Sequence, residues 1–302
     1  MRVLRTVIDR LFPVLGQAYR QYRADRAASL TTASPYGFRI AVPPVETVGA
    51  WFCEQITSGK YELEECALFL ELLTEATVCI DIGANIGWFT CLAARQGNHV
   101  LAFEPLPSNL RFLLQNLAHN DYMGVEVYPL ALAREPGVKK MYGAGAIASL
   151  QPGWHGASSH QYSLIPATTL DIVASQRLVG MPVLIKMDVE GSEYEVLMGA
   201  QATLDIEPKP IWLVEAQLRP NFTRVSNTHF ADLFELFWNH GYHAYTGDSH
   251  RRPVSPGDVN RWVSNGATDF GSINYLFLAR PGLSQAHEAQ QLEECIVPVP
   301  VR

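Results

Sequence analysis

Apolar positions along this chain switch between two periods. From Val78 onward, short continuous apolar runs alternate with segments whose apolar residues recur three and four apart, the mark of buried strands between amphipathic helices. Strands are predicted at Val78–Ile82, His99–Phe103, Val125–Leu130, Val183–Met187 and Ile211–Val214, with late strands at Tyr242–Tyr245 and Ile273–Ala279. Gly97 closes the helix after the first strand, and Pro107 opens one with Leu110, Leu113, Leu114 and Leu117 at helical spacing. Further helices are predicted near Thr169–Gln176, from Ser192 through Ala200, and over Phe230–Asn239. Ser192 and Glu195 have the spacing of a capping box. Upstream, Tyr61–Leu73 is predicted helical with Leu63, Ala67, Leu68, Leu70 and Leu72 as its apolar face, and a polar stretch, Thr31–Tyr36, leads into a short strand at Phe38–Val42. Residues 1–30 read as one helix or two, broken at Pro13. Residues 136–168 interrupt the rhythm with Gly143, Gly145, Gly153 and Gly156, and read as a hairpin and a loop placed over the sheet. The whole implies an α/β fold with a mostly parallel, doubly wound sheet. It divides into an N-terminal helical extension (1–60), an α/β domain (61–282) and a loosely ordered tail (283–302).

Composition narrows the function classes. At 302 residues and 48% hydrophobic, the chain can bury a core without disulfide or metal staples. No uncharged apolar run reaches the ~18 residues needed to cross a bilayer. A net charge of −7 argues against a nucleic-acid binder, which would show a basic face. Residues 1–26 nevertheless hold six Arg and two Asp, a net +4, which leaves −11 for the remainder. Five cysteines (Cys53, Cys66, Cys79, Cys91 and Cys295) with no C-x-x-C pair suit a reducing compartment and offer no zinc framework. Charges at Arg5, Asp9 and Arg10 interrupt any secretory signal, so a cytoplasmic setting is expected.

Two segments carry specific chemistry. The first is the strand, glycine turn and helix start Val78-Cys79-Ile80-Asp81-Ile82-Gly83-Ala84-Asn85-Ile86-Gly87. Its spacing, D-x-G-x-x-x-G, puts Asn85 where a dinucleotide fingerprint has its middle glycine. Gly83 lets the chain turn, Gly87 is expected to let the helix pack closely on the strand, and Asp81 places a carboxylate where a ligand ammonium would suit it. Glu104 ends the next strand, 21 residues beyond Gly83, the expected position of a carboxylate for two ribose hydroxyls. Together these favour a zwitterionic nucleoside over a dinucleotide. In the second segment, Leu184-Ile185-Lys186-Met187-Asp188-Val189-Glu190-Gly191-Ser192-Glu193, a buried strand carries Lys186 and Asp188 on one side. Glu190 and Gly191 turn at its carboxyl end, where α/β sheets bind ligands.

The combination DIGANIG, FEPLPSN and IKMDVEGSEYEVL resembles the FkbM-type methyltransferases, a branch of the class I S-adenosylmethionine-dependent enzymes. The resemblance covers roughly residues 62–217. It implies a Rossmann-like seven-stranded sheet with an antiparallel last strand, S-adenosyl-L-methionine as cofactor, and O-methylation of a hydroxyl. By the resemblance, Asp81, Gly83, Asn85 and Gly87 cradle the methionine part of the cofactor, Glu104 holds the ribose, and Asp188 sits beside the methyl group. Family acceptors include glycans, glycolipids and polyketide-type natural products.

Methyl transfer to a hydroxyl requires alignment of the oxygen and loss of its proton. Asp188, Glu190 and Glu215, the last at the end of the strand Ile211–Val214, are candidate bases, with Lys186 in the same charged cluster. The three carboxylates are alternatively ligands for a divalent cation, magnesium or calcium, and the metal-free base is preferred. Trp154, His155 and His160 either line an acceptor cleft or pack a loop. Trp212 and Trp238 read as core, His240 and His243 as capping or surface residues, and the Asp248–Arg252 loop as solvated. The competing functions are a nicotinamide-dependent oxidoreductase, which the missing middle glycine disfavours, and a non-catalytic nucleoside-binding module, which has no need of the Lys186/Asp188/Glu190 cluster.

Val3, Leu4, Val7, Ile8, Leu11, Val14 and Leu15 recur at helical spacing beside Arg2, Arg5 and Arg10. Such a basic amphipathic helix lies on an anionic membrane or docks within a protein, on its own domain or in a homodimer. The membrane reading predicts cosedimentation with anionic liposomes that falls as salt rises and is abolished by deleting residues 1–30. Full-length protein that stays in the supernatant at low salt assigns the helix to packing or dimerisation.

Overall fold

The computed structural model describes residues 30–43, 48–220 and 225–280. The helices expected over 1–30, including the membrane-contact candidate 1–26, and the tail 283–302 lie outside the described residues. The chain divides into two compact units, one reaching Tyr61 and one beginning at Glu62.

In the first unit, β1 (Leu30–Ala33) pairs antiparallel with β2 (Arg39–Val42), in register from Leu30↔Val42 to Ala33↔Arg39, and α1 (Val48–Thr57) follows. The stretch Thr31–Tyr36 was expected to be only a polar lead-in; its first half is a strand. Threonine is β-branched and fits a pleated strand whatever its polarity. Ser34 then makes the turn, its hydroxyl accepting from Tyr36 N, and Gly37 adopts φ +82°.

The second unit begins with α2 (Leu63–Leu73), β3 (Val78–Ile82), α3 (Trp88–Gln96), β4 (His99–Phe103), α4 (Pro107–His119) and β5 (Val125–Tyr128). Next come β6 (Ala131–Leu132), β7 (Gly137–Tyr142), β8 (Tyr162–Thr168), α5 (Leu170–Ala174), β9 (Val183–Met187), α6 (Glu193–Met198), α7 (Gln201–Leu204) and β10 (Ile211–Glu215). It closes with α8 (Phe230–Asn239), β11 (His243–Thr246), β12 (Pro253–Val254), α9 (Pro256–Asn265) and β13 (Asn274–Leu278). The main sheet runs β12-β11-β13-β10-β9-β3-β4-β5. Strands β5, β4, β3, β9 and β10 are parallel, and β13 lies antiparallel between β10 and β11. This is the expected seven-stranded order with a reversed last strand, plus the two-residue edge strand β12.

Strands β3 and β9 are buried at every position, as the covered faces of a parallel sheet require. Aromatic packing fixes the far side: Phe237 of α8 stacks on Phe277 of β13 with ring centres 3.7 Å apart, and Trp212 of β10 meets Phe237 edge-on. Chain order reverses between β3 and β9, so their carboxyl ends border the crevice where such sheets take ligands. Register locks these ends together. Asp81 lies opposite Lys186, and Asp188 N donates to Ile82 O at 2.9 Å.

Several expectations are corrected. The strand predicted at Val125–Leu130 stops at Tyr128, where Leu130 N donates back to Tyr128 O. The buried face of α2 is Glu65, Cys66, Leu68, Phe69, Leu72 and Leu73, while Leu63 is exposed. Ser192 makes no side-chain cap: Glu195 pairs with Arg134, and the carboxylate of Glu193 accepts from Gly191 N instead. The hairpin expected within residues 136–168 is present as the antiparallel pair β7 and β8, and β6 extends it into a separate three-stranded sheet. The Asp248–Arg252 loop is pinned rather than simply solvated, with Arg251 paired to Glu71 and Asp248 accepting from His250 N and Arg251 N. No described helix is long and apolar enough to cross a membrane.

Helix α9 was not predicted, although its start is legible in Ser255-Pro256-Gly257-Asp258. The Ser255 hydroxyl accepts from Asp258 N, the Asp258 carboxylate accepts from Ser255 N, and Pro256 occupies the first turn. Ser255→Ala should lower stability by about 1 kcal/mol, as loss of an N-cap does. Denaturant unfolding at constant m-value measures it.

Candidate active site

The carboxyl ends of β3, β4, β9 and β10 carry Asp81, Glu104, Lys186, Asp188 and Glu215, with Gly83, Asn85 and Gly87 in the turn after β3, while Glu190 turns its carboxylate toward the segment between β7 and β8. After β3 the chain turns through three left-handed residues, Gly83 (φ +86°), Asn85 (+50°) and Gly87 (+89°). At Gly83 the requirement is steric as well as conformational, because a Cβ there would lie 1.8 Å from the carbonyl oxygen of Asp188. Gly87 faces Leu113 of α4, 2.4 Å from the Cβ position, and not the strand as expected. Gly83 N and Ala84 N both donate to Phe103 O, tying the turn to the end of β4.

Glu104 follows β4 and is buried. Its Oε2 accepts from Asn85 N at 2.9 Å and its Oε1 from Leu106 N at 2.7 Å, so the carboxylate clasps the glycine turn from beneath. Burial pushes its pKa up to about 7 against those hydrogen bonds. Asp81 is also buried, with Oδ2 accepting from Thr90 Oγ1 at 2.5 Å, and burial raises its pKa to about 6.

On β9 the ammonium of Lys186 is 1% exposed. It lies 2.9 Å from Glu65 Oε1 and 3.9 Å from Asp188 Oδ2, with the ring of Phe89 5.0 Å away. Neither Nζ nor Glu65 Oε1 has an aligned hydrogen bond, so the contact is an ion pair only. Burial works against the lysine's charge, but Glu65, Asp188 and Glu215 more than offset it and hold Lys186 protonated. Asn274, opposite Glu215 in the sheet, donates to Glu65 Oε2 at 3.2 Å. Burial and the Asp188 charge push Glu215 well above the ordinary carboxylate range, and Gln217 donates to it at 2.8 Å. Asp188 is the open member of the cluster, its side chain 34% exposed.

Glu190 takes a different direction. In the left-handed region (φ +54°), it turns its carboxylate toward the segment between β7 and β8. Oε2 accepts from Trp154 Nε1 at 3.0 Å and lies 3.0 Å from His155 Nε2, while its carbonyl accepts from Ser149 Oγ. Burial, then the Asp188 charge, raises its pKa to about 7. Trp154 is fully buried, which excludes it as an open stacking platform, and lies against Gly191, where a Cβ would be 2.7 Å from the ring. His160 is exposed. Glu193 is buried, its pKa raised to about 8 by desolvation. Asp188, Glu190 and Glu215 do not converge as cation ligands, and among the described residues no three His, Cys, Asp or Glu side chains are placed to hold a metal ion.

Sequence reasoning missed Glu65, Thr90 and Asn274. Only Glu65 leaves a trace: it falls one and two turns from Phe69 and Leu72 on the buried stripe of α2, where an unpaired acid would be costly.

A doubly wound sheet with a reversed final strand, a glycine turn after β3 and an acid after β4 is the fold and site of a class I methyltransferase. Residues 81–244, more than half of the chain, match the model of the methyltransferase FkbM domain, and the protein belongs to that family. It is 29% identical over 223 residues to the hexuronic acid methyltransferase AglP of Haloferax volcanii, a match covering 67% of this chain and 87% of that protein. Among solved structures it resembles loosely a SAM-dependent methyltransferase from Agrobacterium tumefaciens (10% identity, 83% and 69% of the two chains, TM-score 0.41). A TehB-like SAM-dependent methyltransferase from Corynebacterium glutamicum is similarly distant (12%, 77% and 95%, TM-score 0.39). The methyl donor of the protein is S-adenosylmethionine. Residues at this edge suit it: Glu104 is a buried acid that accepts from Asn85 N and Leu106 N, and a carboxylate has further lone pairs for the hydroxyls of a ribose.

Glu104→Ala should weaken S-adenosylhomocysteine binding by about 2–3 kcal/mol, the range for hydrogen bonds to a charged group. Protonation removes an accepting lone pair, so wild-type affinity should be full at alkaline pH and fall as pH drops through about 7. In Glu104→Gln that step should vanish, leaving a lower one near 6 from Asp81. Calorimetric titration between pH 5 and 9 reads both.

Proposed function

We propose that this protein transfers a methyl group to a hydroxyl oxygen of a hexuronic-acid-bearing glycan or glycolipid. The observation that carries the reading is the charged edge of β9, with Lys186 buried behind Asp188 and beside the glycine turn. The acceptor class is supported by the printed activity of the Haloferax relative.

Bound S-adenosylmethionine supplies an electrophilic methyl on a sulfonium. The turn Gly83–Gly87, with Asn85, holds its amino-acid part, Asp81 compensates the ammonium, and Glu104 takes the ribose hydroxyls. Asp188, the accessible carboxylate, accepts a hydrogen bond from the acceptor hydroxyl and points its oxygen toward the methyl. Lys186 keeps Asp188 in place from behind, and its own charge is balanced by Glu65. Glu215, whose pKa burial and the Asp188 charge push upward, packs the rear of the cluster. The hydroxyl proton leaves toward the Glu190 side of the edge, where a pKa of about 7 suits proton transfer near neutrality. Positioning and proton removal together account for the rate.

Asp188→Asn should lower turnover by roughly 10²-fold or more while changing S-adenosylhomocysteine affinity much less. With oligosaccharides as acceptors, the product from a uronic-acid-containing chain should carry a methyl ether by NMR, and its neutral-sugar counterpart should react more slowly. An enzyme that binds S-adenosylhomocysteine yet methylates no carbohydrate would exclude the glycan reading.

A further inference from the structure

The segment between β7 and β8 does more than cover the sheet. It reaches the end of β9 and holds Glu190 at three points: Ser149 Oγ on the carbonyl, Trp154 Nε1 on Oε2, and His155 Nε2 on the same oxygen at 3.0 Å. Two of the residues involved, Glu190 (φ +54°) and His155 (φ +47°), are non-glycine residues in the left-handed region. Backbone strain of this kind persists only where surrounding contacts enforce it, and it gathers at functional sites. Here the enforcing contacts are the buried Trp154 ring, set against Gly191 and edge-on to the His155 ring, and the Ser149 hydrogen bond. The result is an imidazole with one nitrogen fixed on a carboxylate. The contact with Glu190 uses Nε2, which leaves Nδ1 as the ring's second proton-accepting position. Both side chains of the pair are 15% exposed, shielded without being sealed.

We propose that His155 is a catalytic residue, the group that takes the acceptor's hydroxyl proton on Nδ1, and that Glu190 is its positioning partner. A carboxylate on one imidazole nitrogen fixes the tautomer, leaves the other as the acceptor, and stabilises the imidazolium that forms. As the acceptor oxygen forms its bond to the methyl carbon, the carbon–sulfur electron pair returns to sulfur. The O–H proton passes to Nδ1, giving S-adenosylhomocysteine, a methyl ether and an imidazolium balanced by Glu190. The charged groups facing this pair are Asp188, which opposes ionisation of Glu190, and Lys186, which favours it. Asp188 then orients the hydroxyl rather than deprotonating it. Trp154, whose N–H shares the Glu190 oxygen with His155, keeps the carboxylate from rotating away.

The proposal rests on methyl transfer to a hydroxyl at this edge, and its test separates the two. The imidazole nitrogen resonances of the full-length protein are recorded by NMR in wild type and Glu190→Gln. The wild-type ring should be the Nε2–H tautomer with that proton in a hydrogen bond, and Glu190→Gln should lose the tautomer preference; a wild-type ring with no such preference overturns the dyad, whatever the acceptor proves to be. In the transfer assay His155→Asn should lose roughly 10²-fold or more in kcat, with S-adenosylhomocysteine affinity and thermal unfolding unchanged. Free imidazole should restore part of the rate of His155→Ala. Turnover of His155→Asn within about threefold of wild type, a margin of well under 1 kcal/mol in the barrier, overturns the proposal. If the wild type methylates no hydroxyl acceptor, the substrate reading fails and the NMR comparison alone decides the dyad.

Discussion

Burying a lysine ammonium in the middle of a parallel sheet imposes conditions on everything near it. An unpaired charge there would cost several kcal/mol, so Lys186 on β9 obliges the fold to bring it a carboxylate. That carboxylate is Glu65, 121 residues earlier in the chain and on a different element, α2. Asn274 of β13 braces Glu65 on its other oxygen. Four elements that border the ligand crevice are thereby referred to one charge: α2, β9, β10 through Glu215, and β13. Such a pair contributes little net stability when compared with apolar packing, but breaking it by removing one partner is expensive. Its consequence is geometric. Asp188 is held with one face toward the ammonium and the other open, and the orientation does not depend on a flexible loop.

The crevice itself follows from strand order. Because β4 and β5 lie to one side of β3 while β9 and β10 lie to the other, the connections leaving β3 and β9 diverge and leave space at their carboxyl ends. Two contacts bring the walls together below that space. Asp188 N donates to Ile82 O, and the carbonyl of Asp188 comes so near Gly83 that no side chain is tolerated there. The glycine turn after β3 and the charged end of β9 therefore form one seam. Glu104 joins the same seam from β4 by accepting from Asn85 N. Several acids around it are pushed upward by burial, Asp81 to about 6 and Glu104 and Glu190 to about 7, which places their ionisation close to working pH. Clusters of perturbed acids in a crevice are a mark of function.

The small sheet β6-β8-β7 extends this design. It contributes no strand to the main sheet, yet the connection between β7 and β8 delivers Trp154 and His155 to Glu190. The end of β9 thus receives side chains from a segment that lies outside the main sheet.

By itself the sequence determined most element types and the parallel sheet, and it pointed to the charged and glycine-bearing strand ends. Apolar runs of about five residues between turn signals are too short for buried helices and fit two-sided strands, and the acids and glycines of the turn after β3 act within a few residues of where they stand. Asp81, Gly83, Gly87, Glu104, Lys186, Asp188, Glu190 and Glu215 were all visible as charges or glycines at strand ends and turns, and Asn85 by its place in the glycine turn. Local reading failed where two local solutions compete: Ser192 and Glu195 have capping-box spacing, but Glu193 reaches Gly191 N first and Glu195 is drawn off by Arg134. It failed again where a contact joins distant segments. Nothing local tells that Glu65 answers Lys186, that Trp154 fills the space left by Gly191, or that Glu190 turns from its neighbour Asp188 toward His155. Those pairings arise only when the chain is folded, because burial makes charges seek partners and rings seek space without regard to sequence distance. The tertiary structure decided which of the charged residues pair with one another and which, like Asp188, stay open to the crevice.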